Sequence, residues 1–209
     1  MTHFVLLVII PKAIYQKGNK TIHEYITKIM EKYDENLEIE IYIEKTKSEL
    51  LEEFELFKNT EDYKEYNYKT VEEYAKTWKS YDLDSEGNVV STYNKEALYD
   101  WYVIGGRWDG ILTENEQFTN NGFNFNNKHH TIENNSINVE VFLEKYNNDP
   151  EKFNYSTILD KNGILYQDRE YGWFGSYKKI GDEKSWKNIY ERKLNDSKED
   201  YIINLDCHT

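Results

Sequence analysis

Seven consecutive apolar residues near the start, Phe4-Val5-Leu6-Leu7-Val8-Ile9-Ile10, set the strongest limit on what this chain can fold into. A helix needs about 20 apolar residues to cross a bilayer, so the run is too short to span one. Pro11 and Lys12 end it, and neither a basic leader nor a small-residue cleavage site accompanies it, so it does not read as a secretory signal. It is rich in β-branched residues and apolar at odd and even positions alike, the pattern of a central strand covered on both faces. The composition supplies that cover: 38% of residues are hydrophobic and 16% aromatic, with 19 Tyr, 9 Phe and 5 Trp. A disordered acidic chain would lack such aromatics.

The remaining patterns alternate between helix and strand. Thr21-x-x-Glu24 fits a capping box, followed by Ile22, Ile26, Ile29, Met30 and Tyr33 at helical spacing, which predicts a helix to about Lys32. Leu37, Ile39, Ile41 and Ile43 alternate with Glu38, Glu40, Tyr42 and Glu44, a strand with one buried and one wet face. Thr46-x-x-Glu49 and Thr70-x-x-Glu73 open two further helices; residues 59–67 between them read as a loop or a surface helical insertion. Asp82-x-Asp84-x-Glu86-Gly87 looks briefly like a calcium loop, but the position that needs a bidentate Glu is Tyr93, so a hairpin turn into the strand 89–93 is the reading. Residues 114–138 are Asn-rich and read as a long loop. A short helix over 139–146, a hairpin over 157–166 turning at Asn162-Gly163, a helix over 182–194 and a strand over 201–206 follow. The expectation is one α+β domain over 1–209, a mixed or antiparallel sheet flanked by helices, with 46–80 as a helical embellishment.

The charge narrows the function. With 39 Asp+Glu against 26 Lys+Arg the formal net charge is −13, which argues against binding polymeric nucleic acid through its phosphates or an anionic membrane surface. A local cationic pocket for a small anion stays open, as does an acidic surface imitating DNA. The single cysteine, Cys207, excludes an intrachain disulfide, and the chain reads as cytoplasmic.

Two groups of residues could carry chemistry. Gly105-Gly106-Arg107-Trp108 combines backbone freedom, a planar cation and an aromatic, with Trp101 and Tyr102 close by. Glycines let a backbone approach a ligand, Arg matches a phosphate in two places, and the aromatics can stack on a base. The bland alternative is a tight turn with Arg107 paired to a carboxylate. In the second group, Asp206-Cys207-His208, strand alternation puts Asp206 and His208 on one face and turns Cys207 away, which weakens a Cys207–His208 dyad. His3 would join Asp206 and His208 only if the two terminal strands were neighbours; the alternative is a strand end with a buried Cys. His129-His130 reads as a surface pair and His23 as solvent-facing. Tyr33-Asp34-Glu35-Asn36 reads as a polar turn at the mouth of two strands, and Trp173-Phe174 between Gly172 and Gly175 as core or the wall of a pocket. No Walker loop, dinucleotide fingerprint, nucleophile elbow or paired zinc ligands occur in the sequence, and no cofactor or metal is called for.

Three segments taken together, Thr2 to Val8 with Tyr33 to Leu37, Asp100-Trp101-Tyr102-Val103-Ile104-Gly105-Gly106-Arg107-Trp108-x-Gly110, and Gly172-Trp173-Phe174-Gly175 with Asp206-Cys207-His208, resemble a family of proteins encoded mostly by bacteriophages and prophages. The resemblance is loose over the whole chain and leaves out residues 46–80 and 114–138. It implies a setting, the host cytoplasm, and a role in counter-defence: sequestering a nucleotide-derived immune signal, cleaving one, or blocking a host nuclease. It implies no catalytic assignment. Sequestration by a homo-oligomer, with Trp101, Tyr102, Gly105, Gly106, Arg107 and Trp108 on the ligand, is the leading expectation. A hydrolase or phosphodiesterase using His3, Asp206 and His208 comes next, and an acidic protein–protein inhibitor or DNA mimic third.

Overall fold

A computed structural model of the chain describes residues 3–113, 130–171 and 177–209. In chain order the elements are β1 (His3–Ile10), α1 (Lys12–Tyr15), α2 (Asn19–Met30), β2 (Tyr42–Lys45), α3 (Lys47–Phe57), α4 (Glu61–Tyr66), α5 (Val71–Glu73), β3 (Asp82–Leu83), β4 (Val89–Ser91), β5 (Trp101–Ile104), β6 (Ser136–Asn138), α6 (Val139–Asn148), β7 (Thr157–Leu159), β8 (Leu165–Gln167), β9 (Arg169–Tyr171), β10 (Tyr177–Lys179), α7 (Glu183–Asn195) and β11 (Tyr201–His208). The fold is α+β, and the chain divides into two compact units, residues 1–35 with 96–209, and residues 36–95.

The first unit is built on a mixed sheet in the order β5-β11-β1-β7-β8, with β6 also pairing β11. The apolar run is central, as its two-faced pattern demands: β1 lies antiparallel to β11 and parallel to β7. Phe4, Leu6, Val8 and Ile10 pack on one face with Ile22, Ile26 and Met30 of α2. Leu7 and Ile9 pack on the other with Phe142 and Leu143 of α6 and Trp186 and Tyr190 of α7. Leu6, Leu7, Val8, Ile9 and Ile10 are all fully buried, and each such side chain contributes about 1.5–3 kcal/mol by leaving water. The expected hairpin is present as β7 and β8, Ile158 facing Tyr166.

Local differences from the sequence reading have physical causes. Helix α2 starts at Asn19, two residues before the expected cap, because Gly18 at φ 91 takes the N-cap position and places Thr21 inside the first turn. Thr46 and Glu49 do form a reciprocal capping box. Thr70 caps Glu73 through its hydroxyl, but the Glu73 carboxylate accepts from the Lys69 N–H instead, and after α5 the chain continues as a π-helix over Tyr74–Trp78. Residues 82–91 form the expected hairpin, its turn held by Asp84 accepting from the Glu86 and Asn88 N–H groups.

The second unit has a sheet in the order β2-β4-β3 and its own core of Leu50, Phe54, Phe57, Tyr74, Ala75 and Val89. Here one expectation is corrected. The strand begins at Tyr42, and Ile41 and Ile43 are 68% and 52% exposed. Register against β4 decides the matter: Ile43 faces Val90, whereas Val89, which enters the core, faces Leu83 and, past an irregularity, Lys45. Lys45 therefore takes the inward position and donates to Glu53 and Tyr81.

Candidate functional site

Alternation along β11 sorts its residues. Ile203, Leu205 and Cys207 enter the core shared with α2, and Asn204, Asp206 and His208 take the opposite face. The terminal strands are neighbours, with His3 directly opposite His208 and Val5 opposite Asp206. On the other side of β11, Trp101 of β5 is opposite His208 and Val103 opposite Asp206. Trp101, His208 and His3 thus form a row across three strands. The Trp101 and His208 rings stack with centroids 5.0 Å apart and planes 12° apart. The His3 ring stands edge-on to both, 4.8 Å from His208 and 5.3 Å from Trp101.

Each histidine is held by a carboxylate. His3 Nδ1 lies 2.8 Å from Asp206 Oδ1, and His208 Nδ1 lies 2.6 Å from Asp100 Oδ1. Where the carboxylate oxygen accepts, the imidazole donates through Nδ1 and its Nε2 lies outside the pair. The His3–Asp206 pair is the more enclosed, with side chains 9% and 3% exposed against 8% and 27% for His208 and Asp100. Asp206 is fixed further by the Arg107 N–H, which donates to its Oδ2 at 3.0 Å. Asp100 is tied to the strand end by its own N–H, which donates to the His208 carbonyl.

The glycine pair has a use that its motif did not reveal. Gly105 and Gly106 sit at φ +73 and +53, and a Cβ on either would run into a side chain, Asn135 for Gly105 and Asp206 for Gly106. The space that glycine opens is filled by the protein itself. Asn135 accepts from the Gly110 N–H and donates to Asp109 and to the Thr131 carbonyl. Arg107 is exposed on a single 3-10 turn, and the half-buried Trp108 offers its carbonyl to Asn204.

The expected ligand set is therefore divided. Trp101, 42% exposed, joins His3, Asp206 and His208. Tyr102 is on the opposite face, packed edge-on to Tyr99 with its hydroxyl 3.4 Å from Thr27 Oγ1, and burial raises its phenol. Cys207 is fully buried on that face too, and burial, helped by the Asp206 charge, pushes its thiol well up. It makes no dyad with His208. Tyr33 is a packing residue: its hydroxyl donates to the Gly163 carbonyl and accepts from the Leu165 N–H. His23 is exposed, and His130 Nδ1 sits 3.5 Å from Asp109 Oδ1. His129, Trp173 and Phe174 lie outside the described residues.

Asp100, Asn135 and Asn204 were missed by sequence reasoning. Strand alternation extended two residues back from Asp206 would have found Asn204; Asp100 stood beside Trp101 in the middle segment of the resemblance without a role, and Asn135 reaches the site from another element and left no local signal. A cavity of 430 Å³ lies at the far end of β11, lined by Lys161 and residues 195–200, and holds none of the residues expected in a site. Among the described residues no group of three or more His, Cys, Asp and Glu is arranged to hold a metal, and no helix is long and apolar enough to cross a membrane. Comparison with protein-family models, with curated proteins and with solved structures finds no match to this chain.

Proposed function

We propose that the polar end of the central sheet is an acid–base site acting on the phosphodiester or pyrophosphate linkage of a small nucleotide-derived compound. One observation carries this reading: two imidazoles side by side, each oriented through Nδ1 by its own carboxylate. Such a pair can act on both sides of a phosphoryl transfer. One Nε2 takes the proton from water as the water oxygen bonds to phosphorus. The other, already protonated, gives its proton to the leaving oxygen as the old P–O bond breaks. Asp206 and Asp100 fix ring orientation and tautomer, and general acid–base catalysis of this kind supplies about 10²–10⁴-fold. Trp101 offers a flat exposed surface for the base, and the exposed Arg107 a cation at the same end of the sheet. In the counter-defence setting that the family resemblance implies, the substrate is a cyclic-nucleotide or ADP-ribose type of immune signal.

Sequestration of such a signal without cleavage is the second reading. Trp101 and Arg107 favour it, since both serve binding and neither transfers protons. One experiment separates the two. The full chain is incubated with a panel of cyclic di- and trinucleotides and ADP-ribose derivatives, and bound and free material is identified by mass spectrometry. Altered product that falls by about 10²-fold or more in His3→Gln and His208→Gln supports acid–base chemistry. Intact compound released on heating, with retention lost in Trp101→Ala or Arg107→Ala, supports sequestration by a site holding the mutated residue. A chain that neither retains nor alters any of them removes both.

A further inference from the structure

The unit of residues 36–95 has an open edge that neither reading uses. β2 pairs with β4 on one side and ends the sheet order β2-β4-β3, so among the described residues the main-chain groups on its other side face no strand. Ile41 and Ile43, two residues apart, are 68% and 52% exposed, beside a half-buried Val90 on the face turned away from the core. Glu38, Glu40 and Glu44 flank them, all exposed. The ion pairs of this unit join Lys45 and Lys79 to Glu53, Lys58 to Glu55 and Lys64 to Glu61, leaving those three glutamates outside them. The unit as a whole carries 15 acidic residues against eight basic.

We propose that the β2 edge receives an extended segment of another protein, with alternating basic and apolar side chains, which adds to the sheet as a fourth strand. Main-chain hydrogen bonds along such an edge give affinity, and alternate side chains give specificity. The incoming apolar residues lie beside Ile41 and Ile43, and the incoming Lys or Arg residues beside the exposed Glu38, Glu40 and Glu44 that flank them. A second copy of this chain is the poorer occupant, because two β2 edges paired antiparallel set glutamate against glutamate, and like charges across strands destabilise pairing.

The test uses the full chain and a short synthetic peptide alternating lysine and valine. A peptide of the same composition with lysines and valines in separate blocks, and a glutamate–valine counterpart, serve as controls. The alternating peptide is expected to bind, to weaken as salt is raised, and to slow amide exchange at residues 41–44. Neither control should do so. Ile41→Lys with Ile43→Lys should weaken binding by roughly tenfold or more, with exchange within α3 unchanged as evidence of an intact fold. Absence of binding overturns the proposal, as does equal binding of the block peptide, protection confined to other segments, or indifference to the double substitution. Concentration-dependent self-association of the chain alone, protecting 41–44, overturns it in favour of a second copy.

Discussion

At Gly106 a methyl group would enter the volume occupied by the Asp206 side chain, and the backbone angle of +53° is itself unfavourable for any residue with a Cβ. Gly106→Ala should therefore destabilise the chain by about 1–3 kcal/mol, read from the urea midpoint. It should also loosen the Asp206 carboxylate, seen as broadening of the His3 ring resonances. Cys207 allows a second prediction at this scale. Burial, aided by the negative charge of Asp206, holds its thiol in the protonated form that does not react. At about pH 8.5, where a free thiol is half ionised, iodoacetamide should leave the folded protein unmodified and label it only in denaturant. That the Cys207 side chain looks away from His208 could be read from strand alternation alone. That the glycines admit Asp206 and Asn135 could not, since a sequence shows a need for backbone freedom without showing what fills the space.

Glu53 on α3 ties the second unit together. Its carboxylate accepts from Lys45, Tyr74 and Lys79. Burial opposes its ionisation, but these hydrogen bonds outweigh burial and bring it down to about 2 from 4.5. The folded form thus binds the proton less readily than the unfolded one, so the carboxylate stabilises the unit fully above about pH 4.5 and progressively less as pH falls towards 2. The protection of the Ala75 amide relative to its intrinsic exchange rate should fall across this window, and Glu53→Gln should remove that part of the pH dependence. The Lys45 that serves Glu53 was unreadable beforehand, because the hydrophobic pattern nominated Ile43 for the inward position. A period of two marks which residues share a face but leaves open which face is buried, and here the register with β4 chose. Elements fixed by local chemistry fared better: Thr46 with Glu49, the Asn162-Gly163 turn, and the two-faced β1 all stand where the pattern put them. Pairings between distant strands were legible only as conditions, as with His3 and His208, 205 positions apart along the chain and directly opposite in the sheet.

On the scale of the whole molecule, the first unit is discontinuous and the second is one uninterrupted segment between Glu35 and Glu96. The points where the chain leaves and re-enters the first unit are joined within it: Asp34 bridges to Tyr99, the Glu35 N–H donates to the Tyr99 carbonyl, and the Leu98 N–H donates to the Tyr33 carbonyl. Replacing 36–95 with a short Gly/Ser linker should accordingly leave β1, β5 and β11 in register and the His3–Asp206 and His208–Asp100 pairs intact. Cross-strand contacts between His3 and His208 in the NMR spectrum of the deletion variant would check this; their loss would show that the central sheet depends on the inserted segment.

The same pinning has a consequence for how such a chain can vary. With both ends of the excursion anchored, the entropy of closing it grows only with the logarithm of its length, by about 0.6 kcal/mol for each doubling. Insertions, deletions or an entirely different module between Glu35 and Glu96 therefore strain the central sheet very little. The β2 edge and its glutamates can thus be exchanged freely, while the histidine row stays under the constraints of the sheet that holds it.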